Sequence, residues 1–202
     1  MKARIYIDGL NLYYGCLKDT PYRWLNCEAL CRDLLKEEYE ISWIKYFISS
    51  LEGIPNIARH KPDNQRAYLR ALNTLDKCEV ILGYFQTEEI GPGREPFLKE
   101  KASDVNLAVH LLHDAHENLF DAAVVVSRDN DFVEAVRLVQ EGVGKKVGVF
   151  SPGPYKDRME LFRRASFIRP IRPNVLRRSL FARDLEDAAG EFHMPAGWDQ
   201  AQ

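Results

Sequence analysis

The stretch Ala122-Ala123-Val124-Val125-Val126 decides the fold class of this 202-residue chain. A continuous run of small and β-branched apolar residues is typical of a central parallel strand that is covered on both faces. To either side of it, short β-rich segments alternate with amphipathic segments of helical period. This alternation predicts an α/β sandwich with a mostly parallel central sheet.

The remaining elements follow from the hydrophobic period and from breaks at Gly and Pro. Further strands are predicted at residues 4–7, 41–50, 79–86 and 146–150, with a sixth short strand ending near residue 171. Helices are predicted around residues 30–35 and at 64–75, 104–116 and 131–140. In the helix at 104–116 we expect the buried face to consist of Val105, Ala108, Val109, Leu112 and Ala115.

The composition is that of an ordinary globular protein, with 46% hydrophobic and 29% charged residues. No run approaches the roughly 18 apolar residues of a membrane helix, and the N-terminus lacks a secretory pattern. The four cysteines form no CxxC pair, which favours reduced thiols. We therefore expect a cytoplasmic protein with no membrane partner.

The net charge of −2 conceals an uneven distribution along the chain. Residues 156–183 carry nine Lys or Arg against two acids, whereas residues 184–202 carry five acids and no Lys or Arg. The periodicity is weak near the C-terminus. We predict one domain over residues 1–172 and an extension, residues 173–202, that is weakly ordered or docked.

Four aspartates follow predicted strands or begin a predicted helix. Asp8 ends the first strand, Asp129 and Asp131 follow the central strand, and Asp104 begins a helix. In parallel α/β sheets, sites form beyond the carboxyl ends of the strands. Because clustered carboxylates repel one another, they favour a hard cation such as Mg²⁺ or Mn²⁺. Such a metal activates water and neutralises phosphate charge, which indicates phosphodiester hydrolysis.

Each aspartate also has a purely structural interpretation. Asp8 with Gly9 is a common turn pair, Asp104 is suited to the start of a helix, and Asp129 is suited to capping the next one. Taken singly, these structural roles are favoured. The conjunction of four acids at three matching positions favours a metal site instead.

Three segments of the sequence resemble the motifs of NYN domains, the PIN-like nuclease group that includes the LabA-like proteins. Asp8-Gly9-Leu10-Asn11-Leu12 is similar to the D-G-x-N motif, Lys101-Ala102-Ser103-Asp104-Val105 to K-G-x-D-V, and Ser127-Arg128-Asp129-Asn130-Asp131-Phe132 to S-x-D-x-D-F. The three occur in the family's order, and the departure is Ala102, where Gly is frequent.

The resemblance implies a Rossmann-like, PIN-type three-layer sandwich and a ribonuclease that depends on divalent metal. It implies that the catalytic, metal-binding residues are Asp8, Asp104, Asp129 and Asp131. It further implies that Asn11 and Ser127 orient ligands or water, and that the chains self-associate, with a homodimer as one expectation. Lys101 is expected either to bind the scissile phosphate, to pair with a carboxylate, or to be solvated.

Substrate contacts are less well marked. Lys61, Arg66 and Arg70 follow the second strand on the catalytic side of a parallel sheet, where they are candidates for binding RNA phosphates or for a solvated helix face. The basic segment at 156–183 is a candidate groove for single-stranded or structured RNA. The aromatic residues Tyr13, Tyr14 and Trp24 are suited to base stacking or, more commonly, to the core.

Three alternatives remain open: two rival functions and one other metal site. The first is a non-catalytic RNA-binding or regulatory module of the same fold. The second is a phosphatase, which is disfavoured because the first strand does not end in a D-x-D-x-[TV] pattern. The third is a zinc site on His110, His113 and His116, which is disfavoured because no companion ligand has the spacing of a zinc motif.

Overall fold

The central strand predicted from Ala122–Val126 is buried along its whole length. In this computed structural model, which describes residues 1–54, 58, 60–88, 97–153 and 159–200, it lies within a seven-stranded sheet. The strands are β1 (Lys2–Asp8), β2 (Glu40–Ser49), β3 (Cys78–Glu88), β4 (Phe97–Lys101), β5 (Ala122–Val126), β6 (Lys146–Pro152) and β7 (Ile168–Ile171). Their order is β4-β3-β2-β1-β5-β6-β7, and β4 alone is antiparallel to its neighbour.

Seven helices occur in the described part of the chain. They are α1 (Gly9–Leu12), α2 (Cys27–Leu34), α3 (His60–Leu72), α4 (Ser103–His116), α5 (Val133–Arg137), α6 (Glu160–Arg164) and α7 (Pro173–Arg178). A π-helical turn, Tyr13–Leu17, continues α1, and α5 lies between a 3₁₀ turn (Asn130–Phe132) and a second π turn (Leu138–Gly142).

Two hydrophobic cores lie on opposite faces of the sheet. Residues from α2, α3 and α7 pack on one face, and residues from α4, α5 and α6 pack on the other. The predicted three-layer α/β sandwich with a mostly parallel sheet is therefore confirmed. From β1, strands β2, β3 and β4 follow one another toward one edge of the sheet, and β5, β6 and β7 follow one another toward the other edge. The topological switch point therefore lies between β1 and β5. A ligand crevice is expected at the carboxyl ends of these two strands.

The predicted buried face of α4 is partly wrong. Val105 and Val109 are 65% and 56% exposed, whereas Leu107 and Leu111 are fully buried. The face of α4 that carries Asp114 is turned toward the sheet instead. Asp114 is buried, although an apolar pattern does not mark it as inward-facing.

A polar network explains this rotation of α4. The Asp114 carboxylate accepts a hydrogen bond of 2.7 Å from the Tyr6 hydroxyl and lies 2.9 Å from Lys45 Nζ and 2.8 Å from Arg4 Nη1. Since a buried carboxylate needs partners, these three residues fix which face of the helix meets the sheet.

After Arg172 the chain adds α7 and a small hairpin, β8 (Asp184–Asp187) and β9 (Gly190–His193). Phe181, Phe192 and Trp198 surround the Trp24 ring with centroid distances of 5.8–6.5 Å. Trp24 is thus a core residue. No helix in the described ranges is long and apolar enough to cross a membrane.

Several predicted features lie outside the described residues. These are the turn that Gly91-Pro92-Gly93 predicts, the basic residue Arg59 that precedes the predicted helix at 64–75, and Lys156 and Arg158 of the basic segment.

Candidate metal centre

Three of the four predicted aspartates meet at the switch point. Asp104, in the first turn of α4, and Asp129 and Asp131, in the turn after β5, each offer a carboxylate oxygen, and these oxygens all lie within 4.8 Å of one another. Asp104 and Asp131 are exposed and Asp129 is half-buried, so the group is accessible to solvent. An all-oxygen donor set of this kind fits a hard divalent cation.

Local hydrogen bonds shape the turn that carries two of these acids. Ser127 Oγ accepts a hydrogen bond from the backbone nitrogen of Asp129 (3.0 Å), and Asp129 Oδ1 accepts one from the backbone nitrogen of Asp131 (3.0 Å). Asp129 therefore caps the 3₁₀ turn with a single oxygen. Its structural role and a metal-binding role are compatible.

The turn that joins β4 to α4 sets the position of Asp104. Ala102 precedes the helix with φ +75° and ψ −25°, and Ser103 Oγ donates a hydrogen bond of 2.7 Å to Glu100 Oε1. The chain reverses sharply here, and the first turn of α4 then reaches the acids that follow β5.

Asp8 lies beside this group but not within it. Its carboxylate, 7% exposed, accepts hydrogen bonds from the Asn11 backbone nitrogen and from Ser127 Oγ, both at 2.9 Å. Burial raises the pKa of Asp8 to about 7, and the charges of Asp104 and Glu100 act in the same direction.

Asp104 has the same electrostatic character. Although the residue is exposed, partial desolvation of its carboxyl group raises the pKa to about 6, with further contributions from the charges of Asp129, Glu100 and Asp131. The site thus gathers more negative charge than the protein itself neutralises, which favours a bound cation.

Asn11 and Ser127 connect the elements around the acids. Asn11 Oδ1 accepts a hydrogen bond of 3.1 Å from the Arg128 backbone nitrogen, and Ser127 Oγ donates to Asp8. Both side chains therefore tie the start of α1 to the turn after β5, as residues that orient the site would.

Glu100 is the site residue that sequence reasoning missed. It stands in β4, four positions before Asp104, and its charge raises the pKa of both Asp8 and Asp104. The expectation that site residues follow the ends of parallel strands does not identify Glu100. It comes near Asp8 and Asp104 because the chain reverses between β4, an antiparallel edge strand, and α4. The segment that resembles the K-G-x-D-V motif begins one residue later, at Lys101, and so does not include Glu100.

Three of the four predicted cationic residues pair with acids outside the cluster. Lys101 Nζ lies 2.8 Å from Glu88 Oε1, and Arg66 pairs with two acids on the surface. Arg70 donates two hydrogen bonds to Asp187, and Lys61 is exposed. Arg70 is therefore engaged by the C-terminal hairpin.

The histidines do not form a metal site with one another. His110 Nδ1 lies 3.0 Å from Lys45 Nζ, and His113 and His116 are exposed. Within the described ranges, the group of three close metal-ligand atoms consists of aspartates and includes no histidine.

Comparisons with known proteins agree with the fold. A family model described as the NYN domain matches residues 2–170. The 6-hydroxy-3-succinoylpyridine 3-monooxygenase HspA of Pseudomonas putida is 30% identical over 194 residues, which cover 78% of this chain and 62% of that protein. The chain thus spans less than two thirds of the length of this relative.

A solved structure gives a further likeness. A protein of unknown function from Vibrio parahaemolyticus superposes with a TM-score of 0.59 at 21% sequence identity, covering 89% of this chain and 96% of that chain. At this level of identity the likeness concerns the fold alone.

Proposed function

This chain belongs to the NYN domain family, and on that premise we propose that it is a divalent-metal-dependent ribonuclease. The reaction is the addition of one water across a phosphodiester P–O bond. The observation that carries the proposal is the meeting of Asp104, Asp129 and Asp131, whose carboxylate oxygens lie within 4.8 Å of one another.

The three acids are the residues that would hold Mg²⁺ or Mn²⁺. When bound, such an ion supplies a Lewis acid that lowers the pKa of a water and neutralises charge on the phosphate. With a pKa raised to about 7, Asp8 adds negative charge behind the three acids in its ionised form, and with Ser127 it fixes the turn that carries Asp129. To exposed Asp131 we assign the acceptance of a proton from an attacking water as well as a share in metal binding.

The substrate class is RNA, single-stranded or structured. Exposed Lys61 lies in the first turn of α3, the helix that follows β2, and is the candidate for a phosphate contact. Arg66, further along the same helix, would exchange its surface partners Glu52 and Asp63 for a phosphate. Self-association into a homodimer and a cytoplasmic location are part of the same proposal.

The direct test is cleavage of a labelled single-stranded RNA with Mn²⁺ or Mg²⁺ and with a chelator. We expect Asp104→Asn and Asp129→Asn to reduce the rate by about a hundredfold or more, because each removes a charged ligand. Asp76→Asn is the matched control, since Asp76 is an exposed acid outside the cluster. Equal cleavage by the wild type and both cluster variants would contradict the mechanism.

The non-catalytic rival predicts a different result in the same experiment. An RNA-binding module of this fold would retain RNA in the presence of a chelator and release no cleaved product with any metal. A phosphatase would hydrolyse a small phosphomonoester faster than RNA.

A second candidate function is favoured by the 30% identity to a protein named as a pyridine monooxygenase. Such a reaction consumes O₂ and a two-electron reductant. Oxygen uptake with 6-hydroxy-3-succinoylpyridine and reduced nicotinamide cofactor, retained in Asp104→Asn, would support it over the nuclease.

A further inference from the structure

A cavity of about 410 Å³ lies between the π turn after α1 and Gly153, which follows β6. Its wall is mainly apolar and includes Pro170, Ile171, Pro173 and Leu176, which come from the end of β7 and the start of α7. Cys16, from the π turn after α1, lies on the wall as well. The volume is within the range of pockets that hold small organic ligands.

Two arginines supply positive charge at this cavity. Arg172 lines it and is exposed, and no acid pairs with its side chain in the described part of the chain. The Arg128 guanidinium lies close to a lining residue, because its Nη1 is 3.4 Å from the position that a Cβ on Gly153 would occupy.

Arg128 has an unused hydrogen-bond donor. Its Nε is buried, and no acceptor for it exists among the described residues. A buried donor without an acceptor is costly, particularly on a charged group. The guanidinium charge also opposes the effect of burial, which raises the pKa of the Cys16 thiol to about 12.

Close backbone contacts form one side of the cavity. A Cβ on Gly15 would lie 2.5 Å from the Pro152 carbonyl oxygen, and a Cβ on Gly153 would lie 2.7 Å from the Gly15 carbonyl oxygen. Gly153 also has φ +97°, which disfavours any other residue. The two glycines let the loop after β6 approach the π turn closely.

The cavity and the metal centre share a structural connection. Arg128 lies between Ser127 and Asp129, and its backbone nitrogen donates to Asn11 Oδ1. Asn11 and Cys16 are five residues apart on one continuous helical segment, about 7 Å along its axis.

We propose that this cavity holds one nucleotide of the RNA strand, with its base against the apolar wall and a phosphate bound by Arg128 and Arg172. The complementarity is chemical: a planar ring suits the proline and isoleucine surface, and a phosphate suits the positive charge of exposed Arg172 and of the Arg128 guanidinium near Gly153. This inference rests on the proposed ribonuclease function and identifies a substrate-binding subsite for it.

The first test is calorimetric titration of the full chain with uridine 5′-monophosphate in the presence of a chelator. Uridine and ribose 5-phosphate are the comparison ligands, because uridine lacks the phosphate and ribose 5-phosphate lacks the base. We expect each of them to bind about tenfold more weakly than the nucleotide. Ribose 5-phosphate binding as tightly as the nucleotide would overturn the role of the apolar wall.

Substitutions then locate the binding. Arg128→Gln should weaken nucleotide binding roughly ten- to hundredfold, because it removes a charge-assisted contact, and Arg172→Gln should weaken it severalfold. Arg177→Gln is the matched control, an exposed arginine five residues further along the same segment that does not line the cavity. Thermal unfolding confirms that each variant is folded.

The outcomes separate this inference from the proposed function. Nucleotide binding that Arg128→Gln weakens, and that Asp129→Asn retains while RNA cleavage is lost, supports both. Binding of this kind in a wild-type protein that cleaves no RNA supports the subsite and contradicts the ribonuclease. The subsite is overturned if Arg128→Gln cleaves RNA and binds the nucleotide as tightly as the wild type does. It is also overturned if the wild type binds pyridine-3-carboxylate more tightly than the nucleotide.

Discussion

At Asp8 the fold places a carboxylate where its ionised form is disfavoured. The side chain is 7% exposed, and burial raises its pKa to about 7 from an ordinary value of 3.8. The unfolded chain therefore loses this proton more readily than the folded one. Stability is highest below the ordinary pKa and declines as the pH rises toward the folded pKa.

We expect the metal-free protein to be less stable at pH 8 than at pH 5. Asp8→Asn should raise the free energy of unfolding at pH 8, by at most about 4 kcal/mol on the scale of about 1.4 kcal/mol per pKa unit. The Asn side chain keeps the acceptor for Asn11, and its amide can donate to Ser127. Urea unfolding at several pH values, with a chelator present, measures this.

A bound cation should act most strongly where the acids are ionised. Addition of Mn²⁺ is expected to raise the thermal unfolding midpoint more at pH 8 than at pH 5, since binding to the folded state stabilises it. The increase should be smaller in Asp129→Asn. A wild type whose unfolding midpoint is the same with Mn²⁺ and with a chelator at pH 8 would argue against the metal centre.

Ala102 is a second residue whose conformation has a measurable cost. Its φ of +75° lies in the left-handed region, where an alanine is disfavoured by roughly 1–2 kcal/mol. This conformation also gives a physical reason for the glycine that is frequent at this place in the family motif.

Ala102→Gly is therefore expected to stabilise the protein by about 0.5–1 kcal/mol, after allowance for the greater freedom of glycine in the unfolded chain. Asp19→Gly is the matched control. Asp19 also has a positive φ, of 60°, but aspartate tolerates this region better, so a smaller change is expected. Chemical denaturation compares the two, and an equal or larger gain in Asp19→Gly would contradict the explanation.

Among the secondary-structure elements, α3 is held by the C-terminal hairpin. Arg70 Nε and Nη2 donate to the two carboxylate oxygens of Asp187 at 2.7 and 2.6 Å, and the guanidinium lies 4.1 Å from the centroid of the Phe192 ring. The hydrogen bond from Arg70 lowers the pKa of Asp187 to about 2. The stabilisation is thus present above the ordinary pKa of 3.8 and is lost as the pH falls through about 2.

Arg70→Gln should lower the protection of the amides of residues 184–193, that is, raise their exchange rate relative to that of an unstructured chain at the same pH. Acidification from pH 5 to pH 2 should lower this protection in the wild type as well. Arg66→Gln is the control on the same helix, because among the described residues Arg66 pairs with exposed Glu52 and Asp63 on the surface and not with the hairpin. If both variants exchange alike in residues 184–193, the Arg70–Asp187 pair does not hold the hairpin.

The elements also show what the sequence alone can predict. Strands with continuous apolar runs, such as β5, and the order of elements were predictable because burial on both faces leaves a direct pattern. The rotation of α4 was not, because it depends on Asp114 meeting partners from two distant strands. Glu100 was missed for the same reason, since its neighbours are set by tertiary structure rather than by spacing.

Across the whole molecule, the segment after residue 172 contributes to the larger core. Val175, Leu176, Phe181 and Phe192 are buried in the cluster that contains Trp24. At about 1.5–3 kcal/mol for each buried side chain, they contribute on the order of 6–12 kcal/mol, an upper estimate. That range is comparable to the net stability of an ordinary domain, about 5–15 kcal/mol.

We therefore propose that the folding unit extends beyond residue 172, and that a chain ending there loses cooperative folding. Removal of the segment uncovers the Trp24 ring, which packs against Phe181, Phe192 and Trp198. The control is a chain ending at residue 200, which keeps all of these contacts and should unfold at the same urea concentration as the full chain. If the chain ending at residue 172 also shows a single transition at that concentration, the segment is an appendage and its burial contributes little to stability.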